Sequence, residues 1–491
     1  MADKKTSALA ILLCAATACG GGDFGGGSPG EFGATPGGVK DMGLARELVA
    51  NGKVPPPEAF VVEGMFAEHD LGLVGQSCAS ELCLRTALGI APTLEGEPAG
   101  WLQVGLSSKV DPETFARPSV TLIATVDVSG SMQWRYGGEE ESYPTPGEVS
   151  RALLRRLAAK LDARDRIAIV TYGSSVSTVL PLTPGDRQDL IQAAIADLTG
   201  NGSTNMEAGL TRGYDVARAA AGLTDERRVV LFTDEQPNVG ATTPSAFQAM
   251  VARGGDDGVG LTVMAMGLGI GQELLVAMSS LRGANGFSLF DFADADALVA
   301  DEWPWFASPI AYDLALDLAP AAGFRATAKY GFPGAGDAPA GLHVATVFLS
   351  KRKGALLLQL GPTAGRDLAG LRVDGTFSYT TAAGQAVDQD FFAAYGGQPL
   401  DGRGQYFQQA SAGKTVALAI LVSGLRDAAE RYGTARAEAL AVARAAAARI
   451  AADAAALGDP ALDPEVRLAR DLVLLMERGA EQGTFYGQTS P

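Results

Sequence analysis

One acid and two hydroxyls stand at alternate positions in Asp127-Val128-Ser129-Gly130-Ser131, directly after the uncharged run Val120-Thr121-Leu122-Ile123-Ala124-Thr125-Val126. Where a chain turns off a strand tip, alternate side chains can converge on one point. An oxygen-only set with a single formal charge suits a hard divalent cation that keeps some of its waters. Two later segments offer further oxygens. Thr204 lies in Gly202-Ser203-Thr204-Asn205, just ahead of the amphipathic stretch Met206 to Ala221, and Asp234 closes a second apolar run, Arg228-Val229-Val230-Leu231-Phe232-Thr233. Mg²⁺ demands near-octahedral geometry with oxygens at roughly 2.0–2.1 Å, and hydroxyl ligands leave its charge under-neutralised, so an incoming carboxylate gains from the contact. Taken alone, the first motif also fits a helix N-cap or a turn, where Asp, Ser and Gly cluster. Thr204 and Asp234 tip the reading toward a metal site.

The set D-x-S-x-S, T and D, with about 75 residues from the first motif to Thr204 and about 30 more to Asp234, resembles the metal-ion-dependent adhesion site of von Willebrand factor type A domains. The resemblance implies that Ser129 and Ser131 bind Mg²⁺ (or Mn²⁺ or Ca²⁺) directly, and Thr204 directly or through water. Asp127 and Asp234 then act mainly through water and second-sphere bonds, and one coordination position stays open for a carboxylate from a protein partner. The third motif departs from the family's T-D-G: here it reads Thr233-Asp234-Glu235-Gln236-Pro237-Asn238. Glu235 either points into solvent or leans over the site as an internal carboxylate.

Residues 118–307 must position these groups. Strand runs alternate with amphipathic helices there, which marks an α/β doubly wound, Rossmann-like parallel sheet. The pattern predicts helices over Glu148–Leu161 and Asp186–Leu198, strands over Arg166–Tyr172, Gly260–Met266 and Phe287–Phe290, and an antiparallel edge over Val176–Leu182. Asp127 and Asp234 fall at carboxyl ends of strands, where open α/β sheets bind ligands. Between Met132 and Glu148, Trp134, Tyr136 and Tyr143 mix with Glu139-Glu140-Glu141. This segment reads either as an exposed polar loop or as a specificity loop whose aromatics meet the partner.

Around this centre the sequence divides into 1–19, a signal segment; 20–39, a Gly-rich flexible linker; 40–117, an N-terminal α+β region; 308–425, a β-rich domain with a β-sandwich as one form; and 426–491, a helical C-terminal region. Strands of the N-terminal region can also join the β-rich domain, leaving the metal-site domain as an insert. The segment "NGKVPPPEAFVVE" and the strand Trp101–Leu106 resemble a group of exported bacterial proteins with a region preceding a central von Willebrand A domain and a C-terminal domain of unknown function.

At 491 residues the soft expectation is about three domains. A net charge of −17 argues against nucleic acid and against attraction to anionic membrane surfaces. Lys4 and Lys5, the apolar Ala8–Ala16 and the small residues leading to Cys19 resemble a bacterial lipoprotein signal, although Ala16 stands where Leu is usual. Cys19 is then the lipidated residue, and Gly20 after it fits outer-membrane sorting; membrane contact is through the lipid alone. A plain secretory signal is the alternative. Cys78 and Cys83 read as a short disulfide loop or as free thiols.

Gly413-Lys414-Thr415 lacks the upstream glycine of a phosphate loop, Gln408 standing in its place, and reads as a helix N-terminus. His69 and His343 have no nucleophile pattern nearby, so no sequence signal supports an enzyme. The sequence points to an exported, lipid-anchored protein of the cell envelope that binds a divalent cation and through it a partner's carboxylate. The alternatives are a structural or regulatory envelope protein with a stabilising metal, and a non-catalytic subunit of a larger enzyme assembly.

Overall fold

β-Branched runs and amphipathic stretches resolve into two sheets and three groups of helices. The computed structural model describes residues 32–485 apart from 77–78, 112, 137–142, 201, 235–236, 304, 335 and 364–366. First among these come β1 (Phe32–Pro36), β2 (Gly38–Val39), α1 (Gly43–Ala50), α2 (Val62–Glu68), β3 (Cys83–Pro92) and β4 (Pro98–Ser108). The central stretch holds β5 (Val120–Asp127), α3 (Pro146–Ala158), β6 (Arg166–Tyr172), β7 (Val176–Pro184), α4 (Gln188–Ala196), α5 (Met206–Ala219), β8 (Glu226–Thr233), α6 (Pro244–Asp256), β9 (Gly260–Met266), α7 (Gln272–Ser279), β10 (Ala284–Leu289) and α8 (Phe292–Asp301). The remainder is β11 (Pro309–Pro320), β12 (Phe324–Tyr330), β13 (His343–Ser350), β14 (Ala355–Pro362), β15 (Arg372–Thr381), β16 (Ala386–Ala394), β17 (Tyr406–Phe407), α9 (Ala410–Tyr432), α10 (Arg436–Leu457) and α11 (Asp463–Arg478).

The central sheet runs β2-β10-β9-β8-β5-β6-β7, parallel throughout except for the antiparallel edge strand β7. This is an α/β fold with helices on both faces. Leu153, Leu157, Ile191, Ile195 and Leu298 from α3, α4 and α8 pack on one face. Leu210, Phe247, Leu275 and Met278 pack on the other, in a core that continues without a break into α1, α2 and the C-terminal helices α9–α11. Because β5 lies between β8 and β6, it is buried along its whole length, which explains its uncharged, β-branched sequence. Helix α3 starts two residues before its amphipathic pattern does. Thr145 Oγ1 accepts from the Glu148 amide at 3.2 Å, the Glu148 carboxylate accepts from the Thr145 amide at 2.8 Å, and Pro146 fills the first turn.

All other strands form one antiparallel sheet, β12-β14-β4-β1-β13-β11-β15-β16, with β3 on β4 and β17 on β3. In place of a sandwich of two sheets, one sheet branches at β4 and curls so that β16 and β15 reach the β3 region: Gln389 on β16 donates to the Leu84 carbonyl of β3 at 3.0 Å, and Tyr379 on β15 to the Leu82 carbonyl at 3.1 Å. The α/β unit is inserted between β4 and β11 of this sheet. The region 40–117 is therefore no separate domain, since β3 and β4 belong to the large sheet. The helical C-terminal part begins at Ala410 rather than at 426.

The predicted flexible linker needs a firmer correction. Residues 32–39 are buried strand: β1 pairs with both β13 and β4, and β2 adds a parallel strand beside β10. Gly37 is the crossing point between the two sheets. Its amide donates to the Thr346 carbonyl at 2.7 Å, and a Cβ there would stand 2.7 Å from the Ala284 carbonyl oxygen. Glycine here serves close backbone approach, not flexibility. The signal segment and Cys19 lie outside the described residues. Among the described residues no helix is long and apolar enough to cross a membrane.

Candidate metal centre

Asp127 and Asp234 end neighbouring central strands. The β5–β8 register runs Val126 beside Phe232, so both acids leave the sheet at the same carboxyl edge. Each is buried, at 2% and 0% exposure. Asp127 Oδ1 accepts from the Ser129 amide at 2.8 Å, which turns the chain sharply off β5. That turn brings Ser129 Oγ to 3.2 Å from Ser131 Oγ. Adjacent ligands of an octahedral Mg²⁺ with bonds of roughly 2.0–2.1 Å stand roughly 2.9 Å apart, so the hydroxyl pair is spaced close to what a shared cation requires.

Thr204 reaches this edge on a loop stitched to both neighbours. The Gly130 amide donates to the Gly202 carbonyl at 3.0 Å, and the Asn205 amide to the Gly173 carbonyl at 3.2 Å. Gly202 sits at φ +101°, a conformation that side-chain-bearing residues avoid. On the other side the Asn238 carboxamide oxygen accepts from the Thr204 amide at 2.9 Å, and the Asn238 amide returns a bond to the Thr204 carbonyl at 3.1 Å. Asn205 caps α5 through the Ala208 amide at 3.0 Å, which explains why this segment precedes a helix. Sequence reasoning quoted Asn238 but gave it no role; only its place a few residues past a strand-terminal acid could have marked it.

The electrostatics suit a cation. Burial, and next the charge of Asp234, push the Asp127 carboxyl up to about 7. Its Oδ2 is buried without a hydrogen-bond partner among the described residues; the nearby Tyr172 hydroxyl donates instead, over a long 3.5 Å, to the Phe232 carbonyl. Burial followed by the Asp127 charge pushes the Tyr172 phenol up as well. A buried carboxylate oxygen with no donor is costly, and either a proton or a divalent cation relieves it. The residues present thus fit such an ion, which Ser129 and Ser131 would hold through their neighbouring hydroxyls. The described residues contain no cluster of three or more His, Cys, Asp or Glu able to hold a metal, as follows when hydroxyls make up most of the donor set.

Glu235 lies outside the described residues, as do Glu139-Glu140-Glu141. The proposed aromatic contact loop is corrected in two of its three members. Tyr136 is 2% exposed and packs against Gly267, and the Tyr143 hydroxyl donates to Glu47 at 2.6 Å and accepts from Asn51 at 2.8 Å. Both tie the loop down, leaving Trp134 half-buried at the rim. Cys83 is disulfide-bonded, and Cys78 lies outside the described residues. Lys414 stands in the first turns of α9 and pairs with Asp459 at 2.7 Å, an ion pair unrelated to phosphate binding.

Residues 122–236 match the family model of the von Willebrand factor type A domain. The chain is similar to the uncharacterized protein YfbK of Escherichia coli (strain K12), with 29% identity over 253 residues that cover 50% of this chain and 42% of that protein. It therefore spans less than half the length of that relative. Among solved structures, the ArnB paralog VWA2 from Sulfolobus acidocaldarius aligns with a TM-score of 0.43 at 15% identity, covering 82% of this chain and 99% of the other. A von Willebrand factor type A protein from Catenulispora acidiphila aligns with a TM-score of 0.45 at 15% identity, covering 81% and 90%.

Proposed function

We propose that this chain, which carries a von Willebrand factor type A domain, uses it to bind a divalent cation, Mg²⁺ in the first instance, and to dock a protein partner that contributes a carboxylate to that cation. Domains of this type commonly mediate protein–protein interaction. In this reading Ser129, Ser131 and Thr204 are direct ligands, and Asp127 and Asp234 hold waters and fix the hydroxyls. The cation itself supplies a positive charge that a partner's Asp or Glu can reach. The observation that carries the reading is the pairing of a donorless buried carboxylate oxygen on Asp127 with two serine hydroxyls 3.2 Å apart. No step of bond making or breaking is required, and the protein is not an enzyme in this account. Lipidation at Cys19 and display from the cell envelope, with the outer membrane as the favoured site, complete the proposal.

A second reading has its own support. Asp127, Ser129, Thr204 and Asp234 are each at most 2% exposed, and Ser131 is 8% exposed. So deep a site suits a cation that staples three loops together in a structural or regulatory envelope protein. Pull-down of partners from envelope extracts with Mg²⁺ or with EDTA, using wild type and Asp127→Ala, separates the two. Docking through the metal predicts capture that is lost with EDTA and in the variant while the fold persists. Capture that survives both, together with a melting temperature that still responds to Mg²⁺ in wild type, leaves only the staple. Absence of any Mg²⁺ uptake by calorimetry ends both readings.

A further inference from the structure

The loop that follows Asp234 returns to the start of α5 and grips it at two points. Asn238 and Thr204 exchange a pair of bonds, Thr204 amide to Asn238 Oδ1 at 2.9 Å and Asn238 amide to Thr204 carbonyl at 3.1 Å, and the Val239 amide reaches the same carbonyl at 3.3 Å. One turn further on, the Ala241 amide donates to the Glu207 carboxylate at 2.7 Å. Gly240 lies between, at φ +75°, where a Cβ would stand 2.7 Å from Glu207 Oε2 and 3.0 Å from Asn205 Oδ1. A side chain at Gly240 would therefore push the Glu207 carboxylate aside and hold a strained left-handed backbone.

We infer that Asn238 is a positioning residue for the metal site: its carboxamide oxygen fixes the backbone of Thr204, and so the direction of the Thr204 hydroxyl, relative to the loop that begins with Asp234. This rests on the cation-binding reading above. Asn238 is itself exposed, whereas Thr204 is 1% exposed. The side chain that sets the geometry is thus outside the core, and its removal deletes one bond without opening a cavity. The backbone bonds from Asn238 and Val239 persist in any substitution. What is lost is the one side-chain acceptor aligned on the Thr204 amide, and outer-sphere partners of this kind typically change metal affinity by about 10–100-fold. An oxygen acceptor at this position is what matters, since no bond from the Asn238 amide nitrogen Nδ2 is among those described.

Titration of the full chain with MgCl₂ alone, by calorimetry, tests this with Asn238→Ala, Asn238→Asp and Asn238→Leu, alongside apo melting curves for each. Asn238→Ala and Asn238→Leu are expected to bind Mg²⁺ about tenfold or more weakly, with apo melting temperatures close to wild type. Asn238→Asp keeps an oxygen acceptor and is expected to restore most of the affinity. Mg²⁺ binding by Asn238→Ala equal to wild type overturns the inference and leaves the metal site standing. Equal losses in Asn238→Asp and Asn238→Leu overturn it too, because the acceptor is then irrelevant. No heat from wild type sinks the cation reading itself, a result distinct from either.

Discussion

His69 Nε2 lies 3.0 Å from Glu465 Oε1, joining the residue just after α2 to the first turn of α11 across almost the entire chain. The side chains are 5% and 2% exposed, and Arg46 of α1 completes the cluster with its guanidinium 3.0 Å from Glu465 Oε2. Two consecutive N-terminal helices and the last helix of the chain are thereby held at one point.

Glu465→Ala is expected to destabilise the protein by about 3–5 kcal/mol, the range for stripping one partner from a buried ion pair. Burial opposes the charge on Glu465, but the His69 hydrogen bond and the Arg46 charge outweigh it and hold the carboxyl below its ordinary value. The native state therefore binds fewer protons than the unfolded chain just below the ordinary value of 4.5. The contribution is complete above that pH and fades as the pH falls through the lowered native value. Urea titrations of wild type and variant at neutral and acid pH measure it. A gap between them that stays constant on acidification would contradict the assignment.

The Asp127 carboxyl carries the opposite sign. Its native value, about 7, stands above the ordinary 3.8, so the folded protein holds a proton through that window that the unfolded chain has released. Without a cation, stability from this group declines as the pH rises from about 4 to about 7. A divalent cation competes with that proton and removes the decline. Mg²⁺ is thus expected to raise the melting temperature more at about pH 8 than at about pH 5, and at a hundredfold excess over its dissociation constant to add about 2.7 kcal/mol. Asp127→Ala should show no Mg²⁺ response at either pH. A response larger at acid pH in the wild type contradicts the site.

The α/β unit was legible in the sequence because its signals are local. Buried parallel strands read as uncharged runs, and their carboxyl ends carry the acids, so β5, β6, β8 and β9 could be placed to within two residues. Asp127 and Asp234 could be placed at the carboxyl edge of the sheet for the same reason. The antiparallel sheet was legible only in part: the β-rich stretch after residue 308 and the possibility that N-terminal strands join it could be read, but not the order of pairing. Its pairings join residues such as Phe32 and Ser108, or Thr35 and Phe348, and no local period encodes which strand meets which. Aromatics misled in the 134–143 loop: exposed and buried tyrosines have the same sequence signature, and only the contacts with Gly267, Glu47 and Asn51 decide. Glycine misled at 32–39, where composition suggests freedom and the backbone in fact runs as a strand of one sheet and then of the other.

That last difference is measurable. Gly37→Ala places a methyl against the Ala284 carbonyl at the crossing point, and overpacking of this kind costs about 1–3 kcal/mol. A flexible linker would tolerate the change without loss. Denaturant midpoints for Gly37→Ala and for a control such as Gly96→Ala, where nothing lies within 4 Å but φ is +90°, separate steric crowding from the backbone strain of a left-handed residue. Gly37→Ala at wild-type stability would return the segment to a tether.

The two sheets are also joined through one ring. Phe348 of β13 receives the Arg228 guanidinium of β8 at 5.3 Å and the Lys40 ammonium at 5.5 Å. Arg228 is 1% exposed, and burial pulls its guanidinium below the ordinary value. It donates to the Leu261 and Gly283 carbonyls and to Thr262 Oγ1 at 3.0–3.1 Å, while its Nε has no partner among the described residues. No carboxylate lies within ion-pair distance of it among the described residues, so these three acceptors, the ring face and the more distant charge of Glu226 share the compensation for its charge. Desolvated cation–π contacts reach about 2 kcal/mol. A double-mutant cycle with Phe348→Leu and Arg228→Met should therefore give a coupling energy of about 1–2 kcal/mol, because each single change removes the same contact and the double change removes it only once. Each single variant should unfold at lower denaturant than wild type, Arg228→Met by more, since it also removes three hydrogen bonds to buried acceptors. If the two losses simply add, to within about 0.5 kcal/mol, the ring is no more than apolar filling, and the insert is held to the antiparallel sheet by other contacts, such as the Gly283 amide bond to Thr346 Oγ1 at 2.7 Å and the Arg282–Asp313 ion pair.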